Sequence, residues 1–141
     1  MASNISSVYT AIAAYAPTGA TTTRNITAAQ LEVADADLPC RILLPSTKGE
    51  MDFVMIGNLQ KISWSIRDLC LWAPVGAGTG IAQYSSAMVT YISSYLTKVK
   101  AGRNPAAGCT IVGVEVQMGP IPWADQNYWA VDITLTVEEV L

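Results

Sequence analysis

The last residues of the chain, NYWAVDITLTVEEVL, alternate between apolar and polar side chains almost without a break. Neighbouring residues of an extended strand point to opposite faces of a sheet, so this pattern predicts a strand with one buried face and one solvent-exposed face. The apolar side carries Trp129, Val131, Ile133, Leu135 and Val137, and the polar side carries Asp132, Thr134, Thr136 and Glu138. A chain with such a strand is expected to form a sheet that packs one face on a core.

The remaining periodicities supply the other elements of this sheet. A short amphipathic helix with Ile5, Val8, Ile12 and Tyr15 on one stripe is predicted to end at Pro17. A long helix is predicted from Ile81 to Lys100, where apolar residues recur every three or four positions. Strands are predicted at CRILLPS, MDFVMIG, LQKISWSIRDLCLW and CTIVGVEVQM. We expect an α+β fold with an antiparallel sheet, both helices packed on one face, and a projecting β-hairpin at the turn STKGE.

The strand that contains Trp64 changes character halfway along. Ile62, Trp64 and Ile66 alternate with polar residues, whereas Leu69 to Trp72 are apolar on both faces. This half is therefore predicted to be covered twice, once by the helices and once by a further layer, for which a neighbouring subunit is one candidate.

Composition favours a protein that assembles. The length of 141 residues predicts one domain, residues 1–141. Charged residues make up 13% of the chain, against about 25% in typical soluble proteins, and 51% of residues are hydrophobic. Either the surface has few charges and is rich in alanine, or much of it is buried in subunit contacts.

Charge and cysteine content exclude several classes of function. No run of Lys and Arg interleaved with aromatic residues indicates direct reading of nucleic acid. The first residues lack a basic segment followed by an apolar one, and no stretch is apolar for about 18 residues, so we expect a cytosolic chain with no membrane span. Cys40, Cys70 and Cys109 are widely spaced among apolar neighbours and are predicted to be buried thiols.

Catalytic groups are scarce, and we predict that the protein is not an enzyme and has no metal or cofactor. The chain has no His, and the acid pairs Asp35 with Asp37 and Glu138 with Glu139 are interpreted as solvated. The loop VGAGTG lacks the G-x-G-x-x-G spacing of a dinucleotide site and the Lys of a phosphate loop. A connector is favoured there over a nucleotide-binding loop.

Several stretches together resemble, in order and spacing, the tail terminator or tail completion proteins of long-tailed bacteriophages. These are YTAIAAYAP, LEVADADLPCRILLP, the strand ending in IRDLCLWAPVGAGTG, the long helix and the terminal strand. The resemblance implies a ring of six subunits at the head-proximal end of the tail tube, in the neck of the virion. Such a ring stops tube polymerisation, provides the surface for head joining and lets DNA pass through its lumen without specific binding. Its partners would be further copies of itself, the tail tube protein and the head–tail connector protein.

Candidate contact residues follow from an uneven charge distribution. Up to Arg103 the chain has eight basic and six acidic residues, and after it five acidic residues and no basic ones. In a ring, the acidic side of one subunit can contact the basic side of the next. Trp123 and Asp125 are therefore predicted to contact the neighbour's basic residues. Trp123 has two readings, an interface anchor or a residue packed on its own sheet. The predicted subunit interface comprises Arg67, Leu69, Leu71, Trp72, Arg103, Trp123 and Asp125, and the predicted tail-tube contact comprises Thr47, Lys48 and Glu50. The remaining alternatives are another virion component, such as a tube, connector or decoration protein, or a small ligand-binding domain.

Overall fold

The computed structural model describes residues 3–20, 22–24, 33, 35–44, 48–53, 60–76 and 80–140. Within them the chain has helices packed on one face of a sheet, and the predicted α+β fold class is confirmed. The helices are α1 (Ile5–Ala13) and α2 (Ser85–Ala101), with 3-10 turns at Asp35–Asp37 and Ile81–Gln83. The strands are β1 (Thr22–Arg24), β2 (Cys40–Leu43), β3 (Lys48–Phe53), β4 (Gln60–Pro74), β5 (Cys109–Trp123) and β6 (Gln126–Val140).

The described strands lie in the order β1-β2-β4-β6-β5, and β3 pairs with β4. Neighbouring strands are antiparallel except β1 and β2, which are parallel. β2 and β3 follow one another along β4, since Leu43 lies opposite Asp68 and Lys48 lies opposite Ser65. The prediction that STKGE joins two strands paired with each other is therefore wrong. Lys48, Gly49 and Glu50 belong to β3, and Thr47 lies outside the described residues.

Both helices bury apolar residues against the same side of the sheet, which we call the helix face. α2 buries Met88, Tyr91, Tyr95 and Val99 at spacings of three and four, as the sequence pattern predicts. α1 is shorter and buries Val8 and Ile12. These side chains form one cluster with buried residues of the sheet: Ile66, Cys70, Trp72, Cys109, Ile111, Val131, Ile133, Leu135 and Val137. The predicted one-sided burial of the last strand is confirmed along this part of β6.

The opposite side of the sheet, which we call the outer face, is apolar at one end only. There Leu69 and Leu71 pack with residues from the chain's own β2 region, β5 and β6. This second cluster comprises Val33, Cys40, Ile42, Leu44, Leu69, Leu71, Ile121, Tyr128 and Ala130. The predicted double cover over the end of β4 exists, and residues of the same chain supply it.

β5 and β6 form a longer hairpin than the sequence predicted. The stretch GPIPWADQN, interpreted as a loop, is almost all strand, and a turn at Ala124 and Asp125 joins the two strands. Both turn residues have positive φ angles, 49° and 63°, as a tight two-residue hairpin turn requires. Pro120 and Pro122 are tolerated because β5 lies at an edge of the described sheet, where a missing N–H breaks no ladder bond.

Candidate functional site

The polar end of the outer face is the first candidate surface. β4 contributes Lys61, Ser63, Ser65 and Arg67, and β6 contributes Asp132, Thr134, Thr136 and Glu138; we call these eight residues the polar patch. They are neighbours because Ser65 pairs with Thr136 and Arg67 with Thr134, and directly paired residues share a face. All are partly exposed, and no other element of the described chain packs over them in an apolar cluster.

The charges of the polar patch are paired within the chain. Arg67 contacts Asp132 at 2.8 Å, and Lys61 contacts Glu138 at 3.0 Å. Partly exposed pairs of this kind contribute up to about 1 kcal/mol to stability. Their main consequence is a surface that is neutral overall and rich in hydroxyl groups. The patch has no surplus of positive charge with which to attract phosphates.

The helix face contains a buried ion pair that ties four elements together. Arg41 of β2 and Asp68 of β4 are both fully buried, with Nη2 and Oδ2 at 2.6 Å. The Arg41 guanidinium also donates to the carbonyl oxygens of Ile12 and Ala13, which satisfies the C-terminal end of α1. The hydroxyl of Tyr95 in α2 donates to Asp68 at 2.7 Å. This arrangement positions both helices on the sheet.

The electrostatics of this buried pair are those of a structural contact. Burial raises the pKa of Asp68, and the charge and hydrogen bonds of Arg41 oppose that rise. Burial and then the charge of Asp68 raise the pKa of Tyr95 well above its ordinary value, which keeps the phenol protonated as a donor. Arg41, Asp68 and Tyr95 therefore satisfy one another's polar groups inside the core.

A second buried acid holds the start of the chain. Glu139 is 1% exposed, and its carboxylate accepts hydrogen bonds from the Ser3 hydroxyl and the Asn4 backbone N–H at the N-terminal end of α1. Burial alone raises the pKa of Glu139, but the bonds from Ser3 and Asn4 lower it below its ordinary value. The interpretation of Glu139 as solvated is wrong, because the residues at the start of α1 cover this carboxylate at the end of β6. Its neighbour Glu138 lies on the outer face in the polar patch.

The outer edge of β5 is the second candidate surface, since no strand of the described chain pairs with it. Val112 and Met118 on this strand are 47% and 40% exposed. Beside its first half lies a groove of about 300 Å³ between β5 and the end of α2, with Leu96 and Val112 in its apolar lining and Lys100 and Arg103 at its rim. Long edge strands with exposed apolar residues are typical sites of strand pairing with another chain.

The structure separates the residues predicted to form a subunit interface. Leu69 and Leu71 are fully buried and Trp72 is 6% exposed, so these three belong to the core of the chain and cannot provide a surface to a neighbour. Arg67 lies in the polar patch, where Asp132 of the same chain pairs with it.

The other predicted interface residues lie along the β5 edge. Arg103 is exposed near the start of β5, and Asp125 is exposed in the hairpin turn at its far end. Trp123 is half-buried and packs against the apolar cluster of the outer face. Its contact with its own sheet is therefore present, while part of the ring remains available to a neighbour. Lys48 and Glu50 lie in β3, and their contact with the tail tube stays a prediction.

The remaining candidate features are possible metal sites, the VGAGTG loop and possible membrane-spanning helices. In the described part of the chain no group of three or more Cys, Asp or Glu side chains comes together as metal ligands would. The loop VGAGTG lies partly outside the described residues, and a 3-10 turn at Ile81–Gln83 separates it from α2. Among the described helices, none combines the length and apolarity needed to cross a membrane.

Comparison with known proteins adds no family. No family model matches the chain, and no curated protein matches it either.

Proposed function

We propose that the protein is a structural subunit of a phage tail, which assembles into a closed ring of six at the head-proximal end of the tail tube. The ring stops tube polymerisation and presents a surface to the head–tail connector protein. The observation that carries this proposal is the polar patch, a broad sheet surface that is neutral, hydroxylated and partly exposed.

The polar patch suits the wall of a channel for DNA. Binding to the phosphate backbone of DNA depends on Lys and Arg side chains that displace counterions, and each such contact raises the affinity. Arg67 and Lys61 are held by carboxylates of the same chain at 2.8 and 3.0 Å. A wall built from such patches would let DNA slide past without holding it.

The exposed apolar residues suit contacts between subunits. Val89, Leu96, Val112 and Met118 are each at least 40% exposed, in a chain with only 13% charged residues. The apolar edge of β5 and the groove beside α2 are the surfaces that assembly would cover.

Electron microscopy of the chain mixed with tail tubes from the same phage tests the proposal. We expect tubes that stop growing, each with a ring of density at one end. A tube, connector or decoration protein would instead form open tubes, join only to heads or coat capsids. Tubes that keep their length distribution and bare ends in the presence of the chain would contradict the proposal.

A further inference from the structure

We propose that neighbouring subunits join by strand pairing, with the outer edge of β5 in one copy meeting the outer edge of β3 in the next, so that the sheet continues around the ring. This inference rests on the ring of the proposed function and identifies the surface that builds it. Both edges lack a strand partner in the described part of the chain.

The backbone of β5 leaves a short segment free for pairing. Trp123 and Gln126 are the pair next to the hairpin turn, and in a two-residue hairpin this pair is hydrogen-bonded. From Gly113 to Trp123, the odd-numbered residues of β5 therefore bond to β6. The even-numbered residues of β5 point their N–H and C=O groups away from β6. Pro120 and Pro122 lack an outward N–H. At the other end, the Ile111 N–H donates to the Arg103 carbonyl at 2.7 Å. Val114, Val116 and Met118 remain, and we call residues 114–118 the edge segment.

β3 fits the edge segment in length and direction. It has six residues, about 20 Å at about 3.4 Å per residue, and therefore spans the free part of β5. β3 is antiparallel to β4, β4 to β6 and β6 to β5. A neighbour related by rotation about an axis along the strands would therefore present β3 antiparallel to β5.

The two edges also agree in their faces. Val114 and Val116 pack towards the helix-face core, while Glu115 lies opposite Thr134 on the outer face. In β3, Met51 pairs with Ile62 and Glu50 with Ser63, so the apolar position shares the helix face and the acidic position shares the outer face. Pairing an even-numbered residue of β3 with an odd-numbered residue of β5 keeps the helix face and the outer face continuous from one subunit to the next.

An antiparallel β3 in the neighbour points its carboxyl end towards the start of β5 and the groove beside it. A six-residue strand contact is small against the roughly 800 Å² per partner of a standard interface. The apolar groove beside it and closure of the ring have to supply the rest of the affinity.

Disulfide cross-linking tests the pairing. Within one subunit β3 and β5 are separated by β4 and β6, about 14 Å at three strand spacings, which is beyond the reach of a disulfide. The chain with Lys48→Cys and Gln117→Cys should therefore form only intermolecular bonds, seen after oxidation as a ladder that ends at the closed ring. A second double variant, Lys48→Cys with Glu115→Cys, tests the register shifted by two residues, which also keeps the outer-face positions of the two strands together. The parent chain is the control, because Cys40, Cys70 and Cys109 are buried.

The outcomes separate this inference from the proposed function. A ladder from the double variants, with little cross-linking in each single variant, supports β5–β3 pairing. A dimer from Gln117→Cys alone would show β5 paired with β5 and overturn it. Rings that cap tubes but give no ladder in either register would also overturn it, while leaving the proposed function intact.

A backbone variant provides a second measurement. Val116→Pro removes an outward N–H and no bond to β6, as the natural Pro120 and Pro122 do. We expect the ring to be lost while the circular dichroism spectrum is kept. Val116→Ala, which keeps the N–H, is the matched control and should retain the ring. Rings that survive Val116→Pro would contradict the pairing.

Discussion

Adjacent residues of β4 place a similar ion pair on each face of the sheet. Asp68 points to the helix face, where it and Arg41 are fully buried. Arg67 points to the outer face, where its side chain is 31% exposed and that of Asp132 is 13% exposed. The first pair joins β2, β4 and both helices and so fixes the fold. The second neutralises a surface that is only partly exposed.

Matched variants of the two acids should show the largest difference between the faces. Asp68→Asn leaves a buried guanidinium without its counter-charge, and we expect it to lower the free energy of unfolding by about 3–5 kcal/mol. Asp132→Asn removes a partly exposed partner and should cost at most about 1 kcal/mol. Urea denaturation followed by circular dichroism measures both. Equal losses would show that burial does not distinguish the two pairs.

The next comparison lies within the outer face, between the centre and the rim of its apolar end. Leu71→Ala removes a fully buried side chain and should lower the free energy of unfolding by about 2–5 kcal/mol. Trp123→Ala affects a half-buried ring, and we expect a smaller loss of about 2 kcal/mol, with the fold kept and the ring of subunits dissociated. Thermal unfolding and native mass spectrometry separate the two effects. If Trp123→Ala unfolds the monomer, Trp123 acts only as a core residue.

The smallest expected difference concerns Glu139 and Glu138, consecutive residues on opposite faces. Glu139→Gln weakens the anchor of α1 and should cost about 1 kcal/mol, as loss of a helix N-terminal cap does. The folded-state pKa of Glu139 is lowered, so its contribution is present above the ordinary value of 4.5 and is lost as the pH falls through the folded value.

A pH series of unfolding experiments tests this assignment. The difference between the natural chain and Glu139→Gln should be constant near neutral pH and shrink at pH values below 4.5. Glu138→Gln, on the outer face, is the control and should cost at most about 1 kcal/mol. A Glu139→Gln loss that stays unchanged in acid would contradict the role given to the carboxylate.

Regular patterns made much of this fold predictable from sequence. The alternation from Val131 to Val137 predicts the buried face of β6, and the stripe of Met88, Tyr91 and Tyr95 predicts the buried side of α2. At the start of β6 the alternation fails, since Trp129 is only partly buried while Tyr128 and Ala130 on the other face are buried. These signals are local, because each residue's face follows from its own neighbours in the chain.

The missed features depend on contacts between distant parts of the chain. Arg41 and Asp68 are ordinary charged residues until β2 and β4 become neighbours, although a charge inside an apolar run such as CRILL is a usable signal. Glu139 at the end of the chain is buried by a helix at its start. Pro120 and Pro122 suggested a loop, whereas prolines two apart also fit an edge strand whose alternate N–H groups point outward.

Native mass spectrometry of the purified chain at tens of micromolar, alone and with tail tubes, shows whether the polar patch and the β5 edge belong to a closed ring. We predict one species at six times the chain mass of 15.0 kDa, formed alone or on contact with tubes. A chain that stays monomeric under both conditions, or that forms only a two-fold dimer, would contradict it.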